Sequence, residues 1–122
     1  MNTVVTALRL FILIAMLAGW SHPAQAHAIL ISSTPSIQGT AVAGTIALKI
    51  KYNSRIDHHR SRLTLSGDAG GKSTLAIDPA SPVDEIDASV TLGPGHYSLR
   101  WQVLAVDGHI TRGDIPFTVT DK

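Results

Sequence analysis

Two places in this chain carry groups able to ligate a metal ion. One is His27, which follows Ala24-Gln25-Ala26; the other, far downstream, is Val106-Asp107-Gly108-His109. If a signal peptidase cuts after Ala26, residue 27 becomes a chain start and offers an α-amine and an imidazole from one residue. Those two donors close a chelate ring, and the second donor raises affinity because it is already in place. An unperturbed α-amine titrates near about 7.7–8.0, so a divalent metal displaces its proton readily around neutral pH. Asp107 and His109 stand two apart, and in an extended backbone residues i and i+2 point to the same side. Gly108 between them removes bulk from the opposite face and permits a bend. The expected ligands are therefore His27, Asp107 and His109.

This set offers an amine, two imidazoles and a carboxylate. Nitrogen and oxygen donors in tetragonal geometry suit Cu(II), which also tops the affinity order of the divalent first-row metals. Cu(I) favours soft sulfur, and residues 27–122 hold none: Cys is absent, and the two methionines are Met1 and Met16. Zn(II) accepts the same donors, so ligand type alone leaves both ions open. Taken singly each signal is weak, since Asp-Gly is a common turn dipeptide. On one small exported β-domain they reinforce each other.

The elements that must position these groups begin after residue 26. Arg9, the uncharged and mostly apolar run 10–20, the break at His22-Pro23 and the small residues Ala24 and Ala26 read as a cleaved secretory signal over residues 1–26. The apolar run is well short of the roughly 20 residues that span a bilayer, so no membrane insertion is expected after cleavage. A cut after Ala28, within the second small-x-small triplet Ala26-His27-Ala28, is the alternative; it would discard His27. Arg9 is the one Lys or Arg before residue 27, so the remainder balances 9 basic against 9 acidic residues. No basic face argues for nucleic acid or anionic lipid. An exported chain without cysteine builds its core from apolar packing alone, which is feasible but marginal for a domain of this size.

From residue 27 onward a period of two dominates. Short strands are expected over 28–31, 45–52, 61–65, 73–77, 86–92, 96–104 and 113–120, separated by Gly/Pro-rich loops at 36–44, 67–71, 78–82 and 93–95. Within them Ile46, Leu48, Ile50 and Tyr52 alternate with lysines, and Tyr97, Leu99, Trp101 and Val103 share one face. Leu63, Leu65, Ile86, Ala88, Val90, Ile115, Phe117 and Val119 complete the expected core. About seven short strands and no sustained helical period indicate an all-β, seven-stranded antiparallel Greek-key sandwich or barrel.

The remaining histidines carry less. Asp57-His58-His59-Arg60 falls in an expected polar loop over 53–60; such a loop either is simply solvated or turns both imidazoles, with Asp57, toward a weak accessory metal site. His96 and Arg100 fall on the polar face of their strand and read as surface. No nucleophile–base arrangement, glutamate pair or phosphate-binding glycine loop is present, so no enzyme is expected. A copper-dependent oxidative enzyme would need a wide aromatic surface, and aromatic content is only 5%.

Several stretches together resemble the CopC family of periplasmic copper-binding proteins. They are His27-Ala28, Ser32-Ser33-Thr34-Pro35, the run from Leu92 through Gly93-Pro94-Gly95-His96-Tyr97 to Trp101, Asp107-Gly108-His109, Gly113 and Phe117-Thr118-Val119. The resemblance implies a cupredoxin-like or immunoglobulin-like β-barrel and a high-affinity Cu(II) site at His27, Asp107 and His109. It implies a periplasmic monomer in copper resistance or homeostasis, holding the ion or handing it to a CopD-type inner-membrane importer. Some members also carry a Met-rich loop that binds Cu(I); with no methionine after residue 26, that second site is not expected here. The rival reading is a metal-free sandwich for adhesion or assembly.

Overall fold

The computed structural model describes residues 27–122; the signal expected over residues 1–26 lies outside the described residues. Eight strands follow in order: β1 (Leu30–Thr34), β2 (Gly39–Val42), β3 (Gly44–Tyr52), β4 (Ile56–Gly67), β5 (Lys72–Leu75), β6 (Glu85–Leu92), β7 (Gly95–Ala105) and β8 (Ile110–Thr120). They form a three-stranded sheet, β1-β3-β6, and a five-stranded sheet, β2-β8-β7-β4-β5. The all-β, two-sheet expectation holds. Among the described residues no helix is long and apolar enough to cross a membrane.

The alternating residues close the core as their spacing requires. Ile46, Leu48, Ile50 and Tyr52 of β3 and Ile86 of β6 face Leu63, Leu65, Leu99, Trp101, Val103, Ile115, Phe117 and Val119 of the larger sheet, all buried. Full burial of one such side chain is worth about 1.5–3 kcal/mol, and this packing stands in for the disulfides the chain lacks. Tyr52 meets Trp101 edge-on at 5.3 Å between ring centroids, and burial pushes the Tyr52 hydroxyl well above its ordinary pKa. On the outer face of the smaller sheet Lys49 pairs across the strands with Glu85 and Asp87, at 3.4 and 3.5 Å. The Glu85 hydrogen bond and the charge of Asp87 raise the Lys49 pKa, but an exposed pair of this kind adds little stability.

Three expectations are corrected. The stretch 36–44, read as a loop, contains β2, so among the described residues there are eight strands rather than seven. β2 pairs with β8 in parallel, from Gly39↔Phe117 to Val42↔Thr120, so the sandwich is not purely antiparallel. Gly-Thr-Ala-Val is a weak strand pattern; its partner, not its own composition, makes it a strand. The polar stretch 57–60, also read as loop, is part of β4. There the register jumps from Asp57↔Leu104 to Arg62↔Gln102, so residues 58–61 bulge out opposite Val103. Asp57 Oδ1 accepts the amides of His59 and Arg60, at 3.0 and 3.3 Å, and the Ser61 hydroxyl donates to the Asp57 carbonyl at 2.6 Å. Bulged residues need not alternate, which hid the strand.

Candidate metal centre

β7 and β8 are joined by Val106-Asp107-Gly108-His109, and this turn builds most of the centre. The Gly108 amide donates to the Ala105 carbonyl at 2.9 Å, and the Ala105 amide donates to the His109 carbonyl at 2.9 Å. Gly108 has φ +88°, a left-handed conformation that glycine adopts without a Cβ penalty. Asp107 Oδ1 accepts the His109 amide at 3.0 Å, the local closure that Asp side chains favour in turns. Asp107 and His109 are thus brought together by a tight turn rather than by extended alternation, which corrects the route, though not the convergence, read from the sequence. The Val106 amide reaches the Arg55 carbonyl at 3.4 Å, tying the turn to the β3–β4 connection.

The three expected residues come together. Asp107 Oδ2 lies 2.9 Å from His109 Nδ1 and 3.6 Å from His27 Nδ1. The two imidazoles meet edge-on, 4.4 Å between centroids and 88° between planes. One ligating atom from each of His27, Asp107 and His109 lies within 4.8 Å of the others. Two metal–nitrogen bonds of about 2.0 Å place opposite donors about 4 Å apart, so these atoms fit around one ion with small side-chain adjustments. The Asp107 side chain is only 21% exposed while His27 and His109 are 46% and 64% exposed; the carboxylate forms the floor and the imidazoles an open rim. The His109 amide, followed by the His109 imidazole and the charge of His27, holds the Asp107 carboxyl below its ordinary pKa. An ionised carboxylate between two imidazole nitrogens is a donor set ready for a divalent cation.

The other histidines do not join this cluster. His58 points across to the smaller sheet, where its Nε2–H donates to the Glu85 carbonyl at 2.7 Å. His59 stays exposed on the bulge. His96 is exposed, with Nδ1 3.1 Å from the Thr118 hydroxyl, and Arg100 pairs with Asp114 at 3.2 Å. Among the described residues, His27, Asp107 and His109 are the one group of three or more His, Cys, Asp or Glu placed to share an ion, so Asp57, His58 and His59 form no accessory site of that kind.

A family model, described as the CopC domain, matches residues 30–120. Among solved structures, this chain is similar to CopC from Methylosinus trichosporium OB3b, at 24% identity and TM-score 0.69 over 76% of this chain and 93% of that one. It is also similar to PcoC, a methionine-rich copper resistance protein from Escherichia coli, at 25% identity and TM-score 0.60 over 78% of this chain and 100% of that one. No curated protein matches the sequence.

Proposed function

The chain belongs to the CopC family, and on that premise we propose that it is a periplasmic protein whose cargo is one Cu(II) ion, held by His27, Asp107 and His109. The observation that carries the proposal is the convergence of those three side chains from opposite ends of the sequence onto one point. Their chemistry supports Cu(II): imidazole nitrogen and carboxylate oxygen suit the cupric ion, and no sulfur donor follows residue 26. Cleavage between Ala26 and His27 supplies the remaining donor, the freed amine, to the imidazole side of the cluster. The role is binding rather than catalysis, in copper resistance or homeostasis. The rim exposure of both imidazoles suits an ion that is taken up and passed on, and a CopD-type inner-membrane importer is the proposed recipient.

The test uses the exported protein, with its N-terminus fixed by intact mass. One equivalent of Cu(II) is expected to bind tightly and give an axial electron paramagnetic resonance spectrum with nitrogen coupling. Replacing His109 by Ala, or adding one Ala before His27, is expected to weaken binding and change that spectrum. Unchanged binding in both variants, or an exported chain that begins elsewhere, overturns the assignment.

A further inference from the structure

We infer that Thr111 and Asn53 are positioning residues that hold His27 at the metal centre before any ion arrives, an inference that rests on the reading of His27 as a ligand. β1 starts only at Leu30, so residues 27–29 belong to no strand ladder. With the signal cut away after Ala26 they are a chain start, which is ordinarily poorly ordered unless tied down. Here it is tied at consecutive residues. The Thr111 hydroxyl donates to the Ala28 carbonyl at 2.9 Å, and the Ala28 side chain is itself buried. The Ile29 amide donates to Asn53 Oδ1 at 2.7 Å, and the Asn53 amide donates back to the Ile29 carbonyl at 3.0 Å.

The placement of Thr111 gives this bond a further meaning. Ile115, Phe117 and Val119 mark the inward face of β8, and Thr111 continues that parity toward the strand's start, two residues beyond His109. Two strand steps are about 6.8 Å. The same short piece of chain therefore supplies one ligand and, one pitch further along, the pin for the residue after the other ligand. The spacing between the His27 and His109 rings is set by this pin rather than by the ion. A ligand ordered in advance spares the entropy of ordering it on binding, so the tethers act on affinity and coordination as well as holding Ala28 in its place at the edge of the core.

The experiment compares Cu(II) affinity by chelator competition, electron paramagnetic resonance and the thermal midpoint of the metal-free protein, all in chains beginning at residue 27. Thr111→Val keeps the shape and removes the hydroxyl. It is expected to weaken binding about tenfold, equivalent to about 1.4 kcal/mol, and to reduce nitrogen coupling, with the metal-free midpoint lowered only by what one lost hydrogen bond costs, about 4–8 °C. Thr111→Ser is expected to restore both affinity and spectrum. Asn53→Ala, at an exposed position, is expected to act in the same direction and carries the test alone should Thr111→Val fold poorly. Wild-type affinity and spectrum in both variants, with His27→Ala still impaired, overturn the tether role and leave the ligand assignment standing. A loss of midpoint that parallels the loss of affinity, without rescue by serine, also overturns it in favour of a purely structural role. If His27→Ala binds copper like wild type, the ligand assignment fails first and the tethers fall with it.

Discussion

Trp101 rests on the backbone of Gly113, its register partner across β7 and β8: a Cβ at residue 113 would sit 2.5 Å from Trp101 Cζ2. The ring is held from another side by Tyr52 and is almost wholly buried, so it has little room to yield. Gly113→Ala is expected to destabilise the domain by about 1–3 kcal/mol, the usual cost of forcing extra volume into a packed core. Urea denaturation should show a lower midpoint with an unchanged slope; a midpoint within error of wild type would mean that the indole moves freely.

His58 offers a contrast between stability and binding. Its Nε2–H bond to the Glu85 carbonyl joins the β4 bulge to the opposite sheet. His58→Ala is expected to cost about 0.5–1.5 kcal/mol of stability, the net worth of one such bond, while leaving Cu(II) affinity unaltered. Lower affinity in that variant would point to a role for the bulge in metal binding that the geometry does not give it.

Copper itself should stabilise the fold by mass action. An ion that binds only the folded chain adds about 2.7 kcal/mol at a free concentration one hundred times its Kd. For a domain of this size each kcal/mol raises Tm by roughly 4–8 °C, so a rise on the order of 10–20 °C is expected in calorimetry under that loading. His109→Ala should abolish most of the rise, and a chelator should reverse it in the wild type.

Asp107 predicts an acid-side effect in the metal-free protein. Its folded pKa is lowered, chiefly by the His109 amide. The unfolded chain therefore takes up the proton first as pH falls. The stabilisation is present in full above the unfolded value, about 3.9, and is lost as pH drops through the folded one. Asp107→Asn lacks this titration, so the stabilities of wild type and variant should converge below about pH 4. Denaturation series between pH 3 and pH 6 would show it; a constant gap across that range would contradict the assignment.

Strands whose packing is periodic were readable in advance. β3 and the middle of β7 alternate so regularly that every expected core residue on β3, and Leu99, Trp101 and Val103 on β7, are buried. β2 was not readable, because four small residues become a strand only through a parallel partner near the end of the chain. The first half of β4 was hidden because its bulge replaces alternation with side-chain bonds from Asp57 and Ser61. At the metal centre, residue type and spacing single out His27, Asp107 and His109. Thr111 and Asn53 carry no such mark: a threonine on a strand and an asparagine in a turn are ordinary residues, and only the folded chain brings them to the backbone of residues 28 and 29.

β1 forms one margin of the smaller sheet, whereas β7 and β8, 11 residues each, run through the interior of the larger one. The centre thus straddles the part of the domain most prone to fray and the part least prone to open. An ion seated there would add a second fastening to the one that Thr111 and Asn53 already provide. Amide exchange at residues 29–34 should slow further on loading while that of β7 stays nearly constant, so that cargo doubles as a rivet across a seam already closed.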